Sequence, residues 1–257
     1  MSVYLPPQHG AWAFLGLPIV LGFVVTPWTP LLLVLALAWV AVYPFSFAAL
    51  GLIRARRPQR FKRPFIVWLA VVLAPVVVLV VSRPWLVWVG LAYVAVFTVN
   101  LRYAKHNDER AIGNGLVFAA ECAAMVVVTW LVGAGERSWI PPALSSVPNR
   151  VWVLTAVCAL VLVGSTLHVK SLVRERRDPR FACASRVVAV ASVPASVALA
   201  LWWGWPAGIW LVVPFGVIAV RAFVVGRRPL RLGAIGLIEL GGFVLVAAGS
   251  VLAVAAV

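Results

Sequence analysis

Charged residues are scarce in this sequence, and acidic residues are the scarcest of all. Asp, Glu, Lys and Arg make up 11% of the 257 residues, and only 7 residues are Asp or Glu. A soluble domain carries roughly 25% charged residues. Because 64% of the residues are hydrophobic, a soluble core of this length could not bury them all. The composition excludes a soluble enzyme, a soluble nucleic-acid-binding domain and a disordered chain.

Several chemical signatures are also missing. The polar–apolar alternation of barrel strands does not occur, and residues 1–10 contain no Lys or Arg, so no secretory signal peptide is expected. Cys122, Cys158 and Cys183 stand singly and are interpreted as small apolar residues. Zinc-protease, phosphate-loop and nucleophile-elbow motifs are absent. The sequence therefore predicts no metal site and indicates no particular cofactor.

Long apolar runs dominate the chain instead. A membrane-spanning helix needs about 20 predominantly apolar residues. The predicted spans are 11–27, 30–53, 65–82, 84–104, 111–133, 150–173, 185–203, 205–225 and 232–256. We therefore predict an all-α, polytopic transmembrane helical bundle of about nine spans, forming a single integral membrane domain over residues 1–257.

The basic residues indicate how this bundle is oriented. All but three of the 22 Lys and Arg residues follow even-numbered spans, and only Arg83, Arg137 and Arg150 fall on the other side. By the positive-inside rule, we expect a cytoplasmic N-terminus and an outside C-terminus in a bacterial cytoplasmic (inner) membrane. Tight turns near residues 83–84 and 203–206 are predicted at one interface, with Trp residues at headgroup level.

Two basic segments resemble each other. Residues 52–61 and 172–181 share six of ten positions without gaps, and each segment ends an even-numbered span. This indicates a parallel duplication of four-span halves, about 11–130 and 131–230, followed by a last helix at 232–256. The alternative is a chance match, because the positive-inside rule favours Arg in both loops.

Three polar clusters, each with one histidine, fall at the predicted cytoplasmic side. They occupy residues 6–12, 100–114 and 165–171. Separately, each could be interfacial capping and snorkelling. Together they predict a basic, cytoplasm-facing cavity suited to an anion such as phosphate, diphosphate or a carboxylate. The candidate catalytic residues are His168, His106 and Asp108. The candidate substrate-binding residues are Gln8, His9, Arg54, Asn107, Asn114, Glu121, Ser165, Lys170 and Arg174, with Glu121 expected near the cavity floor.

Two acids lie deeper in predicted spans, Glu121 in the fifth and Glu239 in the ninth. A charge at such depth costs on the order of 3 kcal/mol on insertion scales, so a functional hypothesis is the default. The alternative is a protonated or hydrogen-bonded packing residue. For Glu239 the neighbouring glycines favour that alternative, since they indicate close helix packing.

The motifs at residues 6–13, 105–111 and 165–172 resemble the YwiC-like family of bacterial membrane proteins, a likeness that spans nearly the whole chain. The arrangement is also similar to that of the UbiA-type intramembrane prenyltransferases, which have nine helices and cytoplasmic functional loops after spans two and six. That family carries Mg²⁺-binding Asp-rich motifs in both loops. Here residues 46–52 contain no acid, and the second position offers only Glu175 and Asp178.

The sequence leaves three functions open. The first is a UbiA-like protein that binds or processes an anionic lipid or prenyl-type substrate, with His168, His106 or Asp108 as acid or base. The second is a proton-coupled transporter of a small anion, with Glu121 or Glu239 as the coupling site. The third is a non-catalytic scaffold whose basic loops bind anionic lipids or a partner. All three place the chain in a lipid bilayer, and none involves nucleic acid.

Overall fold

The computed structural model describes residues 3–6, 9–55, 57–105, 111–225 and 231–257. Within these residues the chain forms an all-α bundle, as predicted. The helices are α1 (His9–Val25), α2 (Pro30–Arg54), α3 (Gln59–Ser82), α4 (Leu86–Lys105), α5 (Ile112–Ala134), α6 (Asn149–Val173), α7 (Pro179–Trp203), α8 (Ile209–Val225) and α9 (Leu232–Ala255). Seven are long and apolar enough to cross a membrane, and α1 and α8 are shorter apolar helices.

Most helix boundaries lie within a few residues of the predicted ones, with two informative exceptions. Helices α3 and α7 begin at Gln59 and Pro179, about six residues before their predicted starts. The prediction followed apolar residues alone, whereas both helices continue through a basic first turn whose long side chains can extend away from the apolar layer. At α7, Pro179 occupies the first turn, and the Asp178 side chain accepts a hydrogen bond from the Arg180 amide at 2.9 Å.

Helices α1, α5 and α6 form the centre of the bundle. Helix α1 contacts α2, α5, α6 and α9, while the α2–α3 and α7–α8 pairs lie further out. Gly22 permits the close approach of α1 and α5, because a Cβ there would lie 2.6 Å from Cβ of Thr129. Small residues at helix contacts are typical of membrane bundles, where dispersion rather than hydrophobicity drives helix association. The buried core therefore lies around α1, α5 and α6, which correspond to the first, fifth and sixth predicted spans.

The turns near Arg83, Arg137 and Arg150 lie together at one end of the bundle. The Trp85 amide donates to the Ser138 carbonyl at 3.0 Å, and Trp203 Nε1 donates to the Ala253 carbonyl at 3.2 Å. The Arg150 guanidinium lies 5.4 Å from the Trp203 ring centroid. We call this the sparse end, and the opposite end, where α2 and α6 finish and α3 and α7 begin, the basic end.

Of the tryptophans at these turns, one is exposed as predicted and two are buried. Trp205 is exposed, as expected of a headgroup-level residue, but Trp85 and Trp203 are buried. Their ring or backbone N–H groups bond to carbonyls of neighbouring helices and loops, so they hold the turns against the bundle. Gly204 has φ of 120°, a conformation that side chains strongly disfavour, and it lets the chain turn between α7 and α8.

The parallel duplication stays a prediction, as do the side of the membrane that each end faces and the division into halves.

Candidate functional site

A buried cluster of polar side chains joins α6, α8 and α9 in the half of the bundle nearest the basic end. Glu239 on α9 is 6% exposed. Its Oε1 lies 2.9 Å from Arg221 Nη1 on α8, and its Oε2 accepts a hydrogen bond of 2.6 Å from Ser165 Oγ on α6. One carboxylate therefore connects three helices. Its charge is balanced by a guanidinium that is itself largely enclosed.

His168 extends this cluster towards α7. Its Nδ1 lies 3.1 Å from Ser185 Oγ, and its Nε2 lies 4.0 Å from Glu239 Oε1. Within the described part of the chain, Nε2 has no hydrogen-bond partner, although the residue is only 3% exposed. The serine fixes the ring through one nitrogen and leaves the other facing the carboxylate. The pair can thus pass a proton if a water molecule or a small movement closes the gap.

Helical spacing and small residues explain why these groups meet. Ser165 and His168 are three residues apart on α6 and so share one face. Gly242 follows Glu239 by three residues on α9, and a Cβ there would lie 3.3 Å from Arg221 Nη1. At Gly249 a Cβ would collide with the Trp210 carbonyl, so glycine also brings α8 and α9 together. The glycines of α9 make space for the ion pair as well as for helix packing.

A narrow pocket lies beside the cluster, between α6, α7 and α8. Its polar lining comes from His168, Ser185, Ser192 and Arg221, and Phe215 and Ile218 are among its apolar walls. The pocket has room for roughly one water molecule. A water there would have hydroxyl, imidazole and guanidinium partners. The pocket therefore lies between the His168 ring and the Arg221 guanidinium.

A second polar pair joins α4 and α5. Asn100 Nδ2 donates to Glu121 Oε2 over a long 3.4 Å, and Tyr93 Oη donates to the Glu121 backbone carbonyl at 2.8 Å. Glu121 does not line the pocket beside His168. It belongs instead to this separate pair, and its place near the floor of a cytoplasm-facing cavity stays a prediction.

The remaining described candidates lie near the basic end. The Lys170 ammonium is 5.2 Å from the Phe181 ring centroid and 4.0 Å from Glu175 Oε1. Arg174 caps the end of α6, where its amide donates to the Lys170 carbonyl at 3.0 Å. Asn114 is in the first turn of α5. Of the candidate catalytic and substrate-binding residues that the structure describes, only Ser165 and His168 lie in the buried cluster, next to the predicted coupling residue Glu239.

Several predicted site residues lie outside the described residues. These are Gln8, His106, Asn107 and Asp108, together with the side chains of His9 and Arg54. Their proposed roles stay predictions. Among the described residues no group of three His, Cys, Asp or Glu side chains could hold a metal ion. The carboxylate of Asp178 caps α7.

Sequence reasoning missed Arg221 and Ser185. Arg221 counts by sequence among the basic residues that orient the bundle, but it lies inside α8, one turn before Val225. The position of Arg221 within a membrane span is the signal that the sequence offers for its role, because an arginine there needs a counter-charge. Glu239 was the only acid in the following span. Ser185 gave no comparable signal, since serine is common in membrane helices.

Comparisons with known proteins show similarity to one family and to two relatives. Residues 5–130 match the model of a family described as YwiC-like protein. An uncharacterised protein YwiC of Bacillus subtilis is 28% identical over 190 residues, which cover 71% of this chain and 72% of that protein. An uncharacterised protein of Haemophilus influenzae is 23% identical over 185 residues, covering 72% and 74%. No solved structure matches the chain significantly.

Proposed function

We propose that this chain, a multi-pass membrane protein of the YwiC-like family, carries a small carboxylate anion across the bilayer together with a proton. The observation that carries the proposal is the buried ion pair between Arg221 and Glu239, with 2.9 Å between Nη1 and Oε1. Ionisable side chains within membrane helices typically mark substrate or proton pathways.

The ion pair couples the two ligands through charge balance. When Glu239 takes up a proton it becomes neutral, and Arg221 stays charged because guanidinium does not deprotonate in proteins. An unbalanced arginine at this depth costs about 2.5–3.5 kcal/mol on insertion scales. An anion that binds Arg221 restores the balance. A proton on Glu239 and an anion on Arg221 therefore favour each other.

The chemistry of Arg221 indicates a carboxylate. Arg221 already holds the carboxylate of Glu239, so an external carboxylate can replace that group without a change in net charge. Its Nε has no hydrogen-bond partner within the described part of the chain, so a second N–H is available. A guanidinium that offers two parallel N–H groups matches a carboxylate in shape as well as in charge. The pocket beside Arg221 has room for roughly one water molecule, so the helices around it must move apart before even a small carboxylate can reach the guanidinium.

His168 is placed to deliver the proton. Its Nε2 faces Glu239 Oε1 at 4.0 Å, and its other ring nitrogen contacts Ser185 Oγ. The adjoining pocket is lined by His168 and Arg221, so a water there would contact the two residues on either side of the Glu239 carboxylate. We assign His168 as the proton donor to Glu239, with Ser185 orienting the ring.

Transport accounts for these contacts better than the other two functions do. A UbiA-like enzyme would need acidic motifs after spans two and six, and the second loop uses Asp178 as a helix cap. A scaffold that binds lipids through its basic loops would gain nothing from an ion pair buried between α8 and α9. The enzyme account can use His168 as an acid or base but gives the Arg221–Glu239 pair no role, and the scaffold account uses none of the three residues.

The experiment is uptake into proteoliposomes. Purified protein is reconstituted, and radiolabelled lactate and pyruvate are offered with the outside more acidic than the inside, with phosphate and chloride as comparison anions. We expect carboxylate uptake that a protonophore abolishes. Arg221→Gln should abolish this uptake, and Arg221→Lys should reduce it, because lysine keeps the charge but lacks the forked donors.

Glu175→Gln is the matched control, because Glu175 lies in the loop after α6, outside the cluster. It should transport as the wild type does. The double variant R221Q/E239Q removes both charges and should remain folded yet inactive. Carboxylate uptake that is equal in the wild type and R221Q would contradict the proposal, as would wild-type uptake of phosphate or chloride alone.

A further inference from the structure

The contact between α4 and α5 has the same layout as the one between α8 and α9. In each case a polar side chain lies within about a turn and a half of the end of one helix. A glutamate lies in the first half of the next helix along the chain. The pairs are Asn100 with Glu121, and Arg221 with Glu239. They differ in charge, because an amide stands in the first pair where a guanidinium stands in the second.

No cation balances Glu121 among the described residues. Within the described ranges, the one hydrogen bond to its carboxyl group comes from Asn100 Nδ2 to Oε2, and that bond is long, at 3.4 Å. The described titratable groups that interact electrostatically with Glu121 are Tyr93 on α4 and Cys122 on α5 itself. Both are ordinarily neutral at neutral pH. Helices α1, α2 and α6 also pack against α5, and within the described residues none of them contributes a charged group to the carboxyl.

Asn100 offers an unused acceptor at the same place. Its Oδ1 is buried and has no partner within the part of the chain that the structure describes. The two ends of an asparagine amide are assigned from their surroundings and can be exchanged. A protonated Glu121 could then donate its O–H to Asn100 Oδ1. That single hydrogen bond would satisfy the acceptor and remove an unbalanced charge from the apolar layer.

We propose that Glu121 and Asn100 form a second proton-binding site inside the bilayer, in which Glu121 holds a proton that it shares with the Asn100 amide oxygen. The site stands apart from the Arg221–Glu239 pair and does not depend on the transport of an anion. Its position near the surface of the bundle distinguishes it further. Leu116, Ala120 and Ala124 are exposed on α5 around the partly exposed Glu121, whereas Glu239 is enclosed.

Infrared difference spectroscopy tests the protonation directly. The spectrum of E121Q is subtracted from that of the wild type, both reconstituted in lipid at neutral pH. We expect a carboxylic-acid C=O band in the wild type that E121Q lacks, and we expect it to shift in Asn100→Ala because its hydrogen-bond partner is removed. A carboxylate band at this position in place of the acid band would overturn the proposal.

A hydrophobic carbodiimide gives a second, independent readout. The reagent takes the proton of a carboxylic acid, the carboxylate then adds to its central carbon, and rearrangement leaves a stable N-acylurea. We expect peptide mass spectrometry to find this adduct at Glu121 and not at Glu239, and E121Q to remove it. Modification of Glu239 instead would contradict the assignment. Protection of Glu121 by Na⁺ at constant pH would also contradict it, since that would make the pair a metal-cation site.

Discussion

Arg221 and Glu239 lie on consecutive helices, and their charged groups meet at 2.9 Å in a part of the bundle built from apolar helices. The two residues differ in how they respond to the loss of the partner. A glutamate left alone can bind a proton and become neutral, whereas an arginine cannot lose its proton. This asymmetry makes Glu239 the variable member of the pair and Arg221 the constant one.

The first prediction concerns the stability of the pair. Removing one partner of a buried ion pair typically costs about 3–5 kcal/mol, because the other charge is left uncompensated. We expect E239Q to lower the thermal unfolding temperature in detergent more than R221Q does, because only Glu239 can neutralise itself. The double variant R221Q/E239Q should be more stable than E239Q. Additive losses in the double variant would show that the two charges are not coupled, and equal effects of the single variants would contradict the self-neutralisation of Glu239.

The second prediction links that stability to the ligand. Because E239Q leaves Arg221 without a counter-charge, added lactate should raise the unfolding temperature of E239Q more than that of the wild type. Binding to the folded state stabilises it by mass action. Sodium chloride at equal ionic strength is the control. If lactate and chloride raise the unfolding temperature of E239Q equally, Arg221 has no preference for carboxylates.

The third prediction compares two buried serines of α6. Ser165 Oγ donates to Glu239 on another helix, whereas Ser171 Oγ donates to the His168 carbonyl of its own helix. Losing the partner of a buried group costs about 1–3 kcal/mol. Ser165→Ala should therefore lower both stability and uptake, and Ser171→Ala should change both only slightly. The measurements are thermal unfolding and lactate uptake, and a larger loss in S171A would contradict the assigned contact.

The fourth prediction concerns His168. His168→Ala should slow proton-coupled uptake by at least tenfold, while lactate exchange between two equal pH compartments persists, because exchange needs no net proton transfer. Leu162→Ala is the matched control on the same helix, since Leu162 is fully buried in the core. It should lower the unfolding temperature and leave the ratio of the two rates unchanged. Equal loss of both rates in H168A would mean that His168 supports the site structurally.

The orientation of the bundle is tested by single cysteines in a background with Cys122, Cys158 and Cys183 replaced. Arg57→Cys and Arg176→Cys lie at the basic end, and Ser145→Cys lies in the loop between α5 and α6. We expect membrane-impermeant maleimide to label S145C in intact cells and the other two only after permeabilisation. Labelling of R57C and R176C on opposite sides would refute both the orientation and the parallel duplication.

The fold could be predicted from the sequence to a large extent, because each helix coincides with an apolar run long enough to recognise. The errors arose where helices extend past those runs, as at Gln59 and Pro179, since basic side chains can begin a helix without belonging to the apolar layer. The burial of Trp85 and Trp203 was also unpredictable. Tryptophan composition alone does not distinguish a residue that faces lipid headgroups from one that bonds to a neighbouring loop.

The candidate site was predicted only in part, for a physical reason. Ser165 and His168 were found because they share a helix face, which helical periodicity reveals. Their partners Ser185, Arg221 and Glu239 come from three other helices. Which faces of those helices meet depends on close approaches such as that of Gly249 to the Trp210 carbonyl. Contacts of that kind are set by packing between helices, and no periodicity within one helix encodes them.

The most direct test of the account is a simultaneous measurement of lactate and proton entry into proteoliposomes that contain a trapped pH indicator. The wild type should take up about one proton for each lactate, and a potential imposed with K⁺ and valinomycin should leave the rate unchanged, because the proton and the anion together carry no charge. E239Q should exchange lactate without moving protons. Lactate entry in the wild type that brings no proton, or proton movement that is equal in the wild type and E239Q, would contradict the coupling of Glu239 to Arg221.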